Sequence, residues 1–222
     1  MIKTLQRARF FKDIKDDEIQ KILDEEVYIV RSYNKGQIIA NQGEPCNSLS
    51  IIIEGRTVVQ NVYENGKVLT LANLKESDAF AEAIIFIKEG TYPSTVMAVE
   101  NCKIISFPKK TILNIMKNNT KFTENFLGLL SQKLVNLNKK IKLIELDTIR
   151  RKICKLLLDN YKAKDSLVLK IKSKKELAEE MGVARPSLSR ELISMKNDGL
   201  IDFNLKEIRI LDLEKLEDEF FD

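Results

Sequence analysis

Between residues 20 and 107 the apolar residues fall in short runs, VYIVRSY, QIIANQ, SLSIIIEG, TVVQNVY, VLTLANL, STVMAVE and CKIISF, divided by polar turn residues. Runs of this length and spacing predict antiparallel strands in a sandwich or barrel. Asn65-Gly66 lies between two of them and marks a hairpin, while Gly36, Gly43 and Gly55 suit corners that need positive φ. The first ~20 residues set Ile14, Ile19, Ile22 and Leu23 among charges, which predicts one or two short helices against the sheet.

From Lys109 the apolar period becomes helical. Leu127, Leu130, Leu134, Leu137, Ile141 and Ile144 follow one another at spacings of 3, 4, 3, 4 and 3, with Lys133, Asn138, Lys139 and Lys142 outside the seam. This is the pattern of a dimerisation helix; the alternative is a helix packed on its own core. A further helical segment, RRKICKLLLDNY, leads through a lysine-rich stretch to IKSKKELAEEMGVARPSLSRELISMKNDGLIDF.

That last stretch predicts a helix-turn-helix. Ser173 and Glu176 form a capping box ahead of a helix with Leu177 and Met181 on one side. Gly182 permits a tight turn and Val183 can plug the interhelical angle. A second helix runs from about Arg185 to Asn197, with Leu188, Leu192 and Met195 inward, Pro186 in the first turn and Gly199 as its stop. Arg185, Ser189 and Lys196 then occupy the outer surface, flanked by Ser187 and Arg190, an edge suited to reading bases in the major groove of double-stranded DNA. The stretch LIDFNLKEIRILDL alternates as a hairpin would, giving a wing, although it has no glycine at the turn.

Composition narrows the function. No apolar run among the 222 residues approaches the ~18 needed to span a membrane, and MIKTLQRARFFKDIKDD has no apolar leader, so a cytoplasmic protein without a membrane partner is expected. Cys46, Cys102 and Cys154 are unpaired in sequence and read as buried small hydrophobes with no metal site. There is no histidine and no glycine-rich phosphate loop, which speaks against an enzyme. The net charge is only +4, but Arg150 to Ile201 holds thirteen Lys/Arg against seven Asp/Glu, and the chain beyond holds three against eight. A local basic surface in a near-neutral chain fits a nucleic-acid module.

Three stretches, NKGQIIANQGEPCNSLSIIIEGRTVV, SDAFAEAIIF and GVARPSLSREL, together resemble the cyclic-AMP-receptor and fumarate–nitrate-reduction (Crp/Fnr) family of bacterial transcription regulators over essentially the whole chain. The resemblance implies an α+β protein with a cyclic-nucleotide-binding-type β-roll (a double-stranded β-helix) over 1–108. A dimerisation helix over 109–146 and a winged helix-turn-helix over 147–222 complete it. It implies base contacts by Arg185 and Arg190, supported by Ser187 and Ser189, and phosphate contacts by Ser173 and Lys174. Pro186 stands where many members have glutamate, so a different half-site preference is expected. In the effector pocket Glu82 matches the family's ribose-binding glutamate, but Ala81 replaces a glycine and Pro93-Ser94 replaces Arg-Ser, with Thr95 following. Gln132 and Asn136 fall near the family's nucleotide contacts, and Leu137 where a hydroxyl is usual.

A homodimer reading an inverted repeat under an unidentified small effector other than cyclic AMP is therefore expected, with RNA polymerase as partner if it is an activator. TYPSTVMAVE is similar to the branch that answers nitric oxide, redox state or organic acids, some of it with haem. Here haem could be held only by cysteine, methionine, tyrosine or a backbone amine. An iron–sulfur cluster is excluded because no cysteine precedes Cys46. The alternatives are a haem- or redox-dependent stress regulator of the same family, or a ligand-binding module acting on a protein partner.

Overall fold

The computed structural model describes residues 1–63 and 66–221, with side chains up to Phe220. Each apolar run of the N-terminal half is a strand: β1 (Ile29–Tyr33), β2 (Ile38–Ala40), β3 (Ser48–Glu54), β4 (Arg56–Val62), β5 (Val68–Lys75), β6 (Ala79–Phe80), β7 (Thr95–Ala98) and β8 (Cys102–Pro108). They form two antiparallel sheets, ordered β1-β8-β3-β6 and β2-β7-β4-β5. Except along the β4–β5 hairpin, each strand lies in the other sheet from its predecessor, which makes the pair a β-roll. Of the hairpin's turn residues Gly66 is left-handed (φ +75), while Asn65 lies outside the described residues. Gly55 (φ +84) joins β3 to β4, and a Cβ there would strike the Asn101 carbonyl, so only glycine fits.

Strand β3 is continuously buried because both of its faces are covered. On one face Leu49 and Ile51, paired with Phe107 and Ile105, meet helices α1 (Ile2–Arg7) and α2 (Asp16–Glu25) and the 3-10 turn Arg9–Phe11. Ile14, Ile19 and Leu23 are buried there and Ile22 partly so. Helices α3 (Lys109–Asn118) and α4 (Thr120–Ile144) add Ile112, Ile115, Phe122 and Phe126. The Phe10 and Phe126 rings lie 5.1 Å apart and Phe11 and Phe122 5.2 Å, close aromatic packing that fixes the start of α4.

Residues 109–146 were expected as one helix and are two. Asn119 is extended (φ −134, ψ 100), and its Oδ1 accepts from Phe122 N at 2.9 Å, so it caps α4 and separates it from α3. The seam also needs one correction. Leu127, Leu134, Leu137, Ile141 and Ile144 are exposed, Leu134 by 63%, but Leu130 is half-buried against the first core. It follows Phe122 and Phe126 at intervals of four, on the stripe that faces that core.

The chain divides into two compact units, Met1–Gln132 and the residues from Lys133 onward, with the division inside α4. The second unit contains α5 (Ile149–Lys164), β9 (Val168–Lys170), α6 (Lys174–Met181), α7 (Arg185–Asn197), β10 (Ile201–Phe203), β11 (Glu207–Ile210) and α8 (Leu213–Phe221). Leu157, Leu177, Leu188, Leu192, Met195, Ile201, Ile208 and Leu216 form its core. The expected hairpin is β10–β11, and β9 extends it to a three-stranded sheet ordered β10-β11-β9. The lysines beside Val168 and Leu169 masked that short strand in the sequence.

All three cysteines are buried with free thiols. Burial pushes the thiols of Cys46 and Cys102 up, and that of Cys154 up to about 11. A thiol whose folded pKa is raised adds stability that is complete below its unfolded pKa of 9.0 and is lost as pH climbs towards about 11. Near neutral pH iodoacetamide should therefore leave the folded protein unmodified and label all three cysteines after denaturation, as read by intact mass. Labelling of the folded protein at free-thiol rates would contradict this burial.

Candidate nucleic-acid interface and effector pocket

Ser173 opens α6 with its Oγ accepting from Glu176 N at 3.1 Å. At the other end Gly182 is left-handed (φ 66, ψ 35), and Val183 N–H donates to the Ala178 carbonyl at 2.9 Å. This closing turn reverses the chain within two residues. Val183 packs partly buried against the core, filling the angle as its position predicts. Helix α7 then begins at Arg185, with Pro186 in its first turn where a missing N–H costs nothing.

Leu188, Leu192 and Met195 are each 0% exposed, so this is the face that α7 turns to the core. The side opposite them carries Arg190, Ile193 and Asn197, all exposed. Arg185 is exposed too, on the first turn, but Ser187 and Ser189 are half-buried beside the core stripe. Arg190, expected at the flank, thus faces outward, and its Nη2 donates to Ser187 Oγ at 3.4 Å. Lys196 is committed elsewhere: its Nζ lies 2.6 Å from Asp202 Oδ1, a bond that holds the Asp202 carboxyl below its usual range. Lys174 sits 4.3 Å over the Phe203 ring, a cation–π contact between α6 and the wing.

The wing turns without glycine because Asn204 supplies the acceptor. Its Oδ1 takes bonds from Lys206 N at 2.8 Å and Glu207 N at 3.0 Å. A residue absent from the sequence-level site is Arg150, on the first turn of α5. Its Nε lies 2.8 Å from Glu191 Oε1, its Nη1 3.1 Å from both oxygens of Glu219, and its Nη2 3.2 Å from Ser194 Oγ and in short contact with Asp198 Oδ2. Glu191 first, with Asp198 and Glu219, holds the guanidinium firmly protonated. Only the burst of basic residues at 150–152 signalled it in the sequence.

In the β-roll, Ala81 takes the left-handed conformation (φ +76) that the resemblance reserves for glycine. The next side chain, Glu82, is 6% exposed, and Ser94 is buried as well. Burial pushes the Cys46 thiol up, against the hydrogen bond of the Tyr92 hydroxyl. Burial raises the Tyr92 hydroxyl further. Thr95 is half-buried, its Oγ accepting from Gln42 N at 3.2 Å, while Pro93 is exposed. Gln132 is exposed on α4. Asn136 belongs to the second unit, where it lines a 770 Å³ cleft between α4 and α5 with Lys139, Lys140, Lys155 and Lys164.

Two family models match. The cyclic nucleotide-binding domain covers residues 30–119, and the Crp-like helix-turn-helix domain covers residues 151–219. The chain is 21% identical over 222 residues to the CRP-like cAMP-activated global transcriptional regulator of Mycobacterium tuberculosis, covering 97% of this chain and 98% of that one. Its fold is similar to that of OCPA-complexed CprK (TM-score 0.65, 16% identity, 90% and 92% of the two chains). It is similar also to the sensor domain of the transcriptional regulator DNR from Pseudomonas aeruginosa (TM-score 0.53, 25% identity, 66% and 93%). With a β-roll of the first kind followed by a helix-turn-helix of the second, the chain belongs to the Crp/Fnr family of transcription regulators.

Proposed function

We propose that the protein is a homodimer that reads an inverted-repeat operator with α7 and whose affinity is set by a small effector, other than cyclic AMP, in the β-roll. In this reading residues 1–108 sense, 109–146 carry the dimer contact and 147–222 bind DNA. The observation that carries it is the orientation of α7 in a Crp-like module: three side chains fully buried on one side, Arg190 exposed on the other. Arg185 and Arg190 suit guanine O6 and N7, while Ser173, Lys174, Ser187 and Ser189 suit phosphates or the orientation of the arginines.

Duplexes selected from a random pool should bind best with half-sites about one helical turn apart, ~34–36 Å. Arg190→Ala should cost ~1–3 kcal/mol at one base pair and little on random DNA. Equal binding of selected and random duplexes by the native protein would instead favour the protein-partner reading.

The dimer is supported by the exposed apolar row Leu134, Leu137, Ile141 and Ile144, a stripe that water does not favour. Leu134→Lys combined with Ile141→Lys should give a monomer in sedimentation where the native chain sediments as a dimer. A dimeric double variant would move the contact elsewhere.

Several relatives are described as cAMP-activated, yet this chain places Pro93, which offers no donor, where the family binds the cyclic phosphate with arginine. A buried phosphate without that charge-assisted bond loses ~1.5–3 kcal/mol. Calorimetric titration should give no binding of cyclic AMP at micromolar concentration; a micromolar Kd would sink the assignment. Buried cysteines with raised pKa values also favour an effector bound by contacts over one sensed by thiol oxidation.

A further inference from the structure

We propose that Arg150 is a positioning residue for DNA reading: it fixes the rotation of α7 about its own axis and so the aim of Arg190. The inference rests on the DNA-reading function above.

The guanidinium makes five hydrogen bonds, to Glu191, Ser194, Asp198 and both oxygens of Glu219. An arginine side chain has five N–H donors, so its capacity is filled. Three of the four partners come from one stripe along α7 and its C-terminal cap, spaced by three and four residues. That stripe lies roughly a quarter turn around the helix from Leu188, Leu192 and Met195. An apolar stripe alone tolerates a rocking helix, because dispersion contacts have no direction. A second, directional attachment at an angle to it removes the rotation.

The tolerance is narrow. At a side-chain radius of ~5–6 Å, a rotation of ~20° sweeps a side chain by ~2 Å, against the ~0.5 Å that specific recognition allows. Arg190 precedes Glu191 in the chain, so whatever turns Glu191 turns Arg190 with it.

Arg150 does not act alone on α5. Arg151 donates to the Phe220 carbonyl at 3.2 Å and pairs with Asp147 at 3.2 Å, and the buried Lys152 donates to the Met181 carbonyl at 3.3 Å. Three consecutive basic residues thus tie α5 to α7, α8 and the last turn of α6. What singles out Arg150 is that three of its four partners lie on the reading helix and its cap.

The native protein, Arg150→Lys, Arg150→Gln and Glu191→Gln are compared on a selected inverted-repeat duplex and on random duplex, over a range of salt, with amide hydrogen exchange of α7 in the free proteins. Arg150→Gln and Arg150→Lys should each lower affinity for the selected duplex about tenfold or more. Random-duplex affinity and its salt slope should stay within about twofold, and α7 should exchange faster while the β-roll does not. Lysine keeps the charge but cannot reproduce the planar fork, so failure of the conservative variant to rescue identifies geometry as the cause. Glu191→Gln removes one contact without touching α5 and should give a smaller loss in the same direction.

Full discrimination by Arg150→Lys would reduce Arg150 to a counter-charge and overturn the proposal. So would a parallel loss on both duplexes with faster exchange throughout the protein, which marks unfolding, or unchanged exchange in α7. If the native protein itself does not distinguish the duplexes, the DNA-reading function fails first, and the positioning role falls with it.

Discussion

The C-terminal unit depends on one constraint: α7 must bury Leu188, Leu192 and Met195 completely, and the left-handed Gly182 must deliver it in register to do so. Three apolar side chains at intervals of four and three can enter one core only if the helix turns that face to it. Arg190 therefore faces water, and a shift of two residues would bury its charge without a partner, at a cost of several kcal/mol. A glycine turn, a serine cap and an apolar stripe that each suggest a helix-turn-helix weakly agree on the same geometry. Their agreement gives the reading surface its definition.

The N-terminal unit solves a different problem. Its short strands change sheet repeatedly, so the chain must turn sharply where no side chain has room, as at Gly55 beneath the Asn101 carbonyl. The aromatic group of Phe10, Phe11, Phe107, Phe122 and Phe126 then joins both ends of the unit to the start of α4. At the pocket the chain accepts a left-handed alanine in front of a buried glutamate, an arrangement of a kind that costs about 1 kcal/mol or more and collects at ligand sites.

Much of this was legible in the sequence, and the failures share causes. The seven apolar runs became strands because their short alternating or continuous apolar patterns suit sheet faces, that of β3 being buried almost throughout. The two-residue β6 and the three-residue β9 were too short to show a period, and β9 was masked by lysines that point to solvent. Asn119 was missed because an asparagine cap looks like any polar helix residue until its Oδ1 meets Phe122 N. Leu130 fits the heptad by spacing, yet the deeper i, i+4 stripe of Phe122 and Phe126 claims it. The role of Arg150 was hidden, its basic cluster apart, because its partners lie 41 to 69 residues away and no local pattern predicts where three carboxylates converge.

The division between the units falls inside α4, so one helix takes part in two cores. The first turns of α4 are held by Phe122 and Phe126 in the core beneath the β-roll, and its last turn sends Leu143 into the core of the reading head. The chain leaves the helix only at residues 145–148, where Leu146 already packs against the head and Asp147 is paired with Arg151. Little slack remains between α4 and α5. How firmly Arg190 is aimed then depends on how rigidly α5 holds α7.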